Sequence, residues 1–414
     1  MYCCEPKLFR LNIAHFCATF LMIIFPLLVV ESKEHEVFSP FNIDLKGYVE
    51  FESRYFPKKD RKQISSNTNQ SLAASLELYL DHKHRDWSLL FTPFLRIDQR
   101  DSARSILDLS EFYFMISKPS WELKLGSKQI FWGVLESNHL VDIINQTNSA
   151  ENIDQEDKLG QPMLNFTLID EWGMLDVFLM TGNRKRRFVS EEGRPHSNFE
   201  GILKTGVFEP NKSCLDYVLR YENSSGIFDI GMYYFNGLAR EPIIKPETRL
   251  VQTELTATYP NIEQIAIDLQ ITLKNTLFKL EGLFRESKKV DYGAFGIGLE
   301  HTFYGILNSK KDLGLLLEYH WDQRNDESVV QFSNDLFSGV RLSTNQANDG
   351  QLLLGILNNF NDSSVTAFME ASKRLPNNWK FYLEGRLFSL LDPGNPLSNL
   401  DDDSYLQFVL TKFF

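Results

Sequence analysis

From Phe41 onward, apolar and polar residues alternate along the chain with a period of two, the pattern of extended strands with one apolar and one polar face. Phe41, Ile43, Leu45, Val49, Phe51 and Tyr55 fall on one side of the first such run, and Asp44, Lys46, Glu50, Glu52 and Arg54 on the other. The same division recurs at 72–80, 87–97, 265–273, 313–322 and 379–387. A single run of this kind fits a half-buried strand of a soluble sandwich. So many in series predict one sheet with an apolar and a polar face. The connections alternate between tight turns, at 82–86, 118–120, 170–173, 223–226, 274–276 and 376–378, and long loops, at 57–70, 133–162, 183–212, 237–261 and 391–402. Short turns on one side and long loops on the other belong to an up-and-down barrel. The expected fold is an all-β, transmembrane antiparallel barrel of about 18 strands, in one domain over 33–414; about 16 is the alternative, because 250–262 and 331–345 read ambiguously.

Aromatic residues gather near the ends of the expected strands, at Tyr55, Trp87, Trp121, Trp132, Trp172, Trp321 and Trp379, where the girdles of a membrane barrel lie. In the final stretch, Tyr405 to Phe414, Leu406, Phe408, Leu410 and Phe414 share one face and Gln407 and Thr411 the other. A terminal strand frays unless it is paired, and pairing 405–414 with 41–55 closes the sheet. This ending resembles the C-terminal signal of Gram-negative outer-membrane β-barrels. Lys412 departs from that signal, and near a periplasmic end its ammonium can snorkel to headgroups. Toward the N-terminus, Lys7 and Arg10 precede an apolar run from Leu11 to Val30, and charge resumes at Glu31. That layout predicts a secretory signal over 1–32.

Composition narrows the function classes. The formal net charge of −12 argues against nucleic acid as a partner. Removing 1–32 leaves it unchanged, since Glu5 and Glu31 offset Lys7 and Arg10. Cys3, Cys4 and Cys17 lie in the expected signal, so Cys214 is alone in the mature chain and forms no internal disulfide. No nucleophile elbow, phosphate loop, dinucleotide fingerprint or zinc-protease motif occurs, and no enzyme or cofactor is expected.

The alternation aims Arg96, Lys124, Lys128, Arg285, Arg341 and Arg386 into the lumen, together with inward acids such as Glu50, Glu281, Glu318 and Glu384. Such charges either orient a polar solute or pair across strands and hold the interior together. The connection at 131–162 carries Val134, Leu135, Leu140, Val141, Ile143 and Ile144, more apolar residues than a solvated loop needs. It is expected to pack against the inside wall as a constriction, plug or short helix, with Trp132, His139, Asp142 and Asn145 shaping the constriction. Gly126-Ser-Lys-Gln129, Trp132-Gly133 and Asp142-x-x-Asn145 look like a pattern of porin-like outer-membrane channels, including those similar to alginate exporters. The resemblance implies that the segment enters the barrel. The acidic run Glu151, Asp154, Glu156 and Asp157 lacks calcium-loop spacing, and His82-x-His84 lacks further ligands, so no metal site is expected. Arg184 to Arg187, extended by Arg194 and Lys204, read as a loop tip kept soluble by its charge or, if external, as one that meets lipopolysaccharide or gathers anions at the mouth.

The expected protein is a porin-like channel of the cell outer membrane for small polar or anionic solutes, with outer-membrane lipid as its surroundings. A non-conducting envelope or adhesion barrel that binds surface polysaccharide is the alternative, and a barrel lipid hydrolase stands behind both.

Overall fold

The structure, a computed structural model, describes residues 40–414 except 61–64, 197–201, 210–214, 249–252, 325–331, 347–348, 363, 390, 393–394 and 396. The expected signal segment and all four cysteines lie outside the described residues.

In chain order the strands are β1 (Phe41–Tyr55), β2 (Thr68–His82), β3 (Trp87–Asp98), β4 (Ile106–Lys118), β5 (Trp121–Lys128), β6 (Gln161–Asp170) and β7 (Gly173–Met180). Then come β8 (Ile202–Phe208), β9 (Asp216–Ser225), β10 (Phe228–Leu238), β11 (Ile243–Thr248), β12 (Thr253–Tyr259), β13 (Asn261–Leu273) and β14 (Thr276–Ser287). The last are β15 (Tyr292–Phe303), β16 (Lys311–Asp322), β17 (Asn334–Thr344), β18 (Gln351–Asn359), β19 (Val365–Leu375), β20 (Trp379–Ser389) and β21 (Tyr405–Phe413). Eighteen of these form one antiparallel sheet in which β1 pairs with both β2 and β21, so the sheet closes. The seam runs from Tyr48 opposite Phe413 to Tyr55 opposite Leu406, as the terminal alternation predicts. Of the two ambiguous stretches, Asn334–Thr344 is a barrel strand and Thr253–Tyr259 is not. Instead β8, β11 and β12 form a separate three-stranded sheet from the connections between β7 and β9 and between β10 and β13.

The pleat sorts side chains as the alternation requires. Leu72 and Ile97 face outward and are each 55% exposed, whereas Glu52 and Arg54 face inward and are 3% and 2% exposed. An apolar exterior of this extent has lipid as its solvent. Aromatic pairs ring both rims: Trp87–Phe114, Trp121–Phe166 and Trp172–Tyr221 at the turn end, Phe295–Trp321 and Tyr217–Tyr234 at the loop end. Trp132 is not part of either rim; it lies inside the barrel and is 7% exposed. At the turn end Lys412 sits 5.5 Å over the Trp379 ring and donates to the Asn377 carbonyl, which houses its charge at the rim.

Candidate constriction and lumen

The segment between β5 and β6 packs against the inner faces of several strands. Asn145 braces its base: the side-chain amide donates to the carbonyls of Lys128 at 2.8 Å and Leu159 at 2.9 Å, and its Oδ1 accepts from the Ile130 N–H at 2.8 Å. Val141, Ile143 and Ile144 are buried with Trp132 against Phe178, Met180 and Phe235 of the inner wall. The Trp132 ring also lies 4.4 Å beneath the Arg220 guanidinium. Trp132 is therefore the anchor of the segment on the wall.

Beyond this anchor the chain runs on along the wall to β14, β16 and β17. Glu281 of β14 accepts the N–H groups of Val134 (2.6 Å), Leu135 (3.0 Å) and Val141 (3.2 Å). Glu318 of β16 accepts those of Glu136 (2.8 Å) and Ser137 (2.9 Å), and Arg341 of β17 donates to Glu136. Leu135 lies against Gly296 and Gly298 of β15, where an added Cβ would come within 2.5 Å and 2.9 Å of its methyl groups. Those two glycines make room for the side chain. On its return the segment meets a third region of wall. Glu151 pairs with Arg96 at 2.6 Å, the Arg54 guanidinium donates to the Glu151 carbonyl at 2.8 Å, and Asp154 lies 3.6 Å from Arg386.

The segment is thus a bar across the lumen, with space on both sides. A cavity of 720 Å³ opens toward the loop end, bordered by Phe188, His196, Arg240 and Phe332. A second of 590 Å³ runs along the other wall toward Tyr48, Lys380 and Phe413 at the turn end. Arg54, Asn152, Glu156 and Lys158 line both, so the cavities adjoin at these four residues.

The inward charges are largely paired. Arg96 also meets Glu50 and Glu52, Lys124 meets Glu122 at 2.5 Å, and Arg285 lies 3.4 Å from Glu241. Arg386 contacts Glu384 and Glu370, each at 2.7 Å. Lys128 stands 5.4 Å over the Tyr113 ring. In the bar, Asp142 pairs with Lys158 at 3.0 Å, and His139 stacks edge-on to Phe131 with its Nε2 3.8 Å from Glu156. Within the acidic run Glu151 and Asp154 meet wall cations and Glu156 meets His139, and among the described residues no His, Cys, Asp or Glu cluster has metal-holding geometry.

The basic stretch departs from expectation. Arg184 reaches back to Asp108 of β4 at 2.9 Å and Arg187 to the Ala103 carbonyl, while Arg186 lines the loop-side cavity. Arg194 is buried against Asp403 at 2.7 Å. Asp108 and Asp403 draw Arg184 and Arg194 inward, and Arg186 and Arg187 donate to a side-chain amide and to backbone carbonyls, so the stretch is not a solvated tip. Lys204 has no described side chain. Arg104 and Arg240, which buttress the bar through the carbonyls of Glu151 and Ile144, were invisible to periodicity because both lie in loops.

Among the bar's titrating groups, burial pushes the Asp154 carboxyl up to about 6 against the pull of Arg386. Burial opposes the charge of His139, but Glu156, Glu281 and Asp142 outweigh it and push the imidazole up. The His139 contact in turn holds Glu156 below the usual carboxylate range. In the loops, burial works against the Glu241 carboxylate, yet Arg324, Arg285 and Arg186 hold its pKa down to about 2.

No protein-family model matches the chain, and no curated protein matches it either. Solved structures do. Pseudomonas aeruginosa OccK5 (OpdH) is 9% identical with a TM-score of 0.52, over 90% of this chain and 98% of that one. Pseudomonas aeruginosa OccK11 (OpdR) is 8% identical with a TM-score of 0.49, over 90% and 96%. An engineered variant of the Rhodobacter blastica porin is 9% identical with a TM-score of 0.43, over 90% and 100%. The likeness is one of fold: like OccK5, this chain closes an antiparallel sheet into a β-barrel.

Proposed function

We propose that the barrel is a channel for small polar or anionic solutes, which pass the bar at the junction lined by Arg54, Asn152, Glu156 and Lys158. The observation that carries this reading is the pair of cavities on either side of the bar that share those four residues. An anion preference has narrower support than the number of inward bases suggests. Most of them are ion-paired, whereas Lys128 has an aromatic face and, among the described residues, no carboxylate partner.

The alternatives lose their footing in specific places. A polysaccharide-binding barrel needs an exposed basic tip, and Arg184, Arg187 and Arg194 are turned to internal partners. A hydrolase needs an activated nucleophile, and Ser137 Oγ does lie 2.7 Å from His320 Nε2. The same oxygen is 2.7 Å from Glu318, which also holds the Ser137 N–H, so a carboxylate occupies the place an oxyanion would need. The Ser137–His320 contact belongs to the anchorage of the bar.

Purified barrel in planar bilayers tests the reading. The intact protein should conduct in small steps, and deletion of the bar should enlarge them. Absence of conductance in both forms would refute the channel. Neutralising Lys124 and Lys128 together (K124Q, K128Q) should shift the reversal potential toward cations; an unchanged potential would assign both to the wall alone.

A further inference from the structure

We infer that the loop-side cavity is a binding site for an amphipathic anion, a solute with an apolar body and one acidic end. Inner faces of membrane barrels are ordinarily polar, yet here the wall of β17 to β20 turns apolar. Phe337, Leu353, Leu357, Phe368 and Phe388 all face this cavity. Phe337 and Phe368 stack 3° from parallel at 5.6 Å, and both rings lie over Gly355, where an added Cβ would come within 2.5 Å of each. Removing the side chain at that position leaves room for two aromatic rings on the wall. Across the same space the bar contributes Leu140 and Ile153. A passage for wholly hydrated solutes has no need of this surface, which loses free energy in contact with water.

The acidic end is assigned by Arg186. Six arginines line the cavity, and Arg54, Arg240, Arg285, Arg324 and Arg386 each contact a carboxylate. Among the described residues, Arg186 is the one of the six with no carboxylate in ion-pair range; its Nε donates to Gln146 Oε1 at 3.4 Å. Its backbone N–H donates to the Tyr259 hydroxyl at 2.8 Å, which fixes the residue between the bar and the outer three-stranded sheet. A guanidinium so placed has donors left for an anion. The cavity volume of 720 Å³ falls within the range of small-molecule sites.

This inference rests on the channel reading only in taking the cavity as open to solutes from the loop side, and its test separates the two. The full-length barrel is titrated calorimetrically with hexanoate, acetate and 1-hexanol, against a detergent blank, and the same solutes are added to the loop side of a bilayer recording. Hexanoate should bind at least about tenfold more tightly than acetate, which lacks the apolar body, and more tightly than hexanol, which lacks the charge. Arg186→Gln should remove the advantage over hexanol, and Leu353→Ser with Leu357→Ser the advantage over acetate. Equal binding of hexanoate and acetate to the unmodified barrel, or unchanged binding to R186Q, overturns the site. A barrel that binds hexanoate without conducting defeats the channel and leaves the site; one that conducts without preferring hexanoate does the reverse.

Discussion

Asp142, Asp154, Asp157 and His139, whose pKa values are raised, and Glu156, whose pKa is lowered, all lie in the bar, and their shifts give its docking a pH dependence of definite sign. A carboxyl or imidazole whose pKa is raised in the folded state favours that state while protonated, and the contribution disappears as pH climbs through the raised value. For Asp154 that loss falls between 3.8 and about 6, and for His139 it begins above 6.5. Glu156 acts in the opposite sense: its contribution is complete above 4.5 and is lost as pH falls. Between pH 5 and 8 the raised groups govern, Asp142 and Asp157 acting in the same sense as Asp154 and His139, so the bar should loosen as pH rises. Hydrogen exchange over residues 129–160, corrected for intrinsic rates, should show less protection at pH 8 than at pH 5. Asp154→Asn should flatten the lower part of that change and His139→Gln the upper part. Equal or greater protection at pH 8 would contradict the assignment.

At the scale of elements, the bar depends on two wall carboxylates more than on any contact of its own. Glu281 and Glu318 together accept five backbone N–H groups from residues 134–141, donors that would otherwise be left without partners in a partly dry lumen. Glu318→Gln keeps the volume but turns an amide N–H₂ toward those donors. The far end of the bar should then lose about 2 kcal/mol of docking, the scale of a hydrogen bond to a charged group. Open-channel current noise should rise while the barrel's thermal midpoint stays, because strand pairing is untouched; a quiet E318Q channel would show that Leu135 packing alone suffices. The inward direction of both acids was legible from alternation on β14 and β16. Their partners were not, since pairing a wall position with a loop backbone more than a hundred residues away leaves no local pattern. The same reason hid β8, β11 and β12, whose sheet is made by two loops meeting, and the inward turn of Arg184 to Arg187, whose charge reads alike whether it faces water or Asp108. The apolar inner wall is a different omission. Leu352 to Leu354 is a continuous apolar run, so alternation alone does not say which of its leucines face the lumen.

For the whole molecule, closure turns a row of amphipathic strands into a structure without free edges, and the seam is where that is decided. Gly47 and Phe414 exchange both backbone hydrogen bonds at 3.0 Å, so the next pair inward, Tyr48 with Phe413, is of the non-hydrogen-bonded kind. Such pairs hold their Cβ atoms close enough for a disulfide, whereas a shift of two residues does not. Tyr48→Cys with Phe413→Cys, in a chain with Cys214 replaced by serine, should therefore oxidise readily. The product should keep its compact mobility on heating until reductant is added, because the covalent seam prevents β1 and β21 from separating. Tyr48→Cys with Thr411→Cys should remain reduced, which makes the pair of variants a measurement of register as well as of closure. If the shifted pair cross-links as readily as the matched one, the seam slides, and the terminal strand is fastened by something other than the hydrogen-bond ladder that closes the barrel.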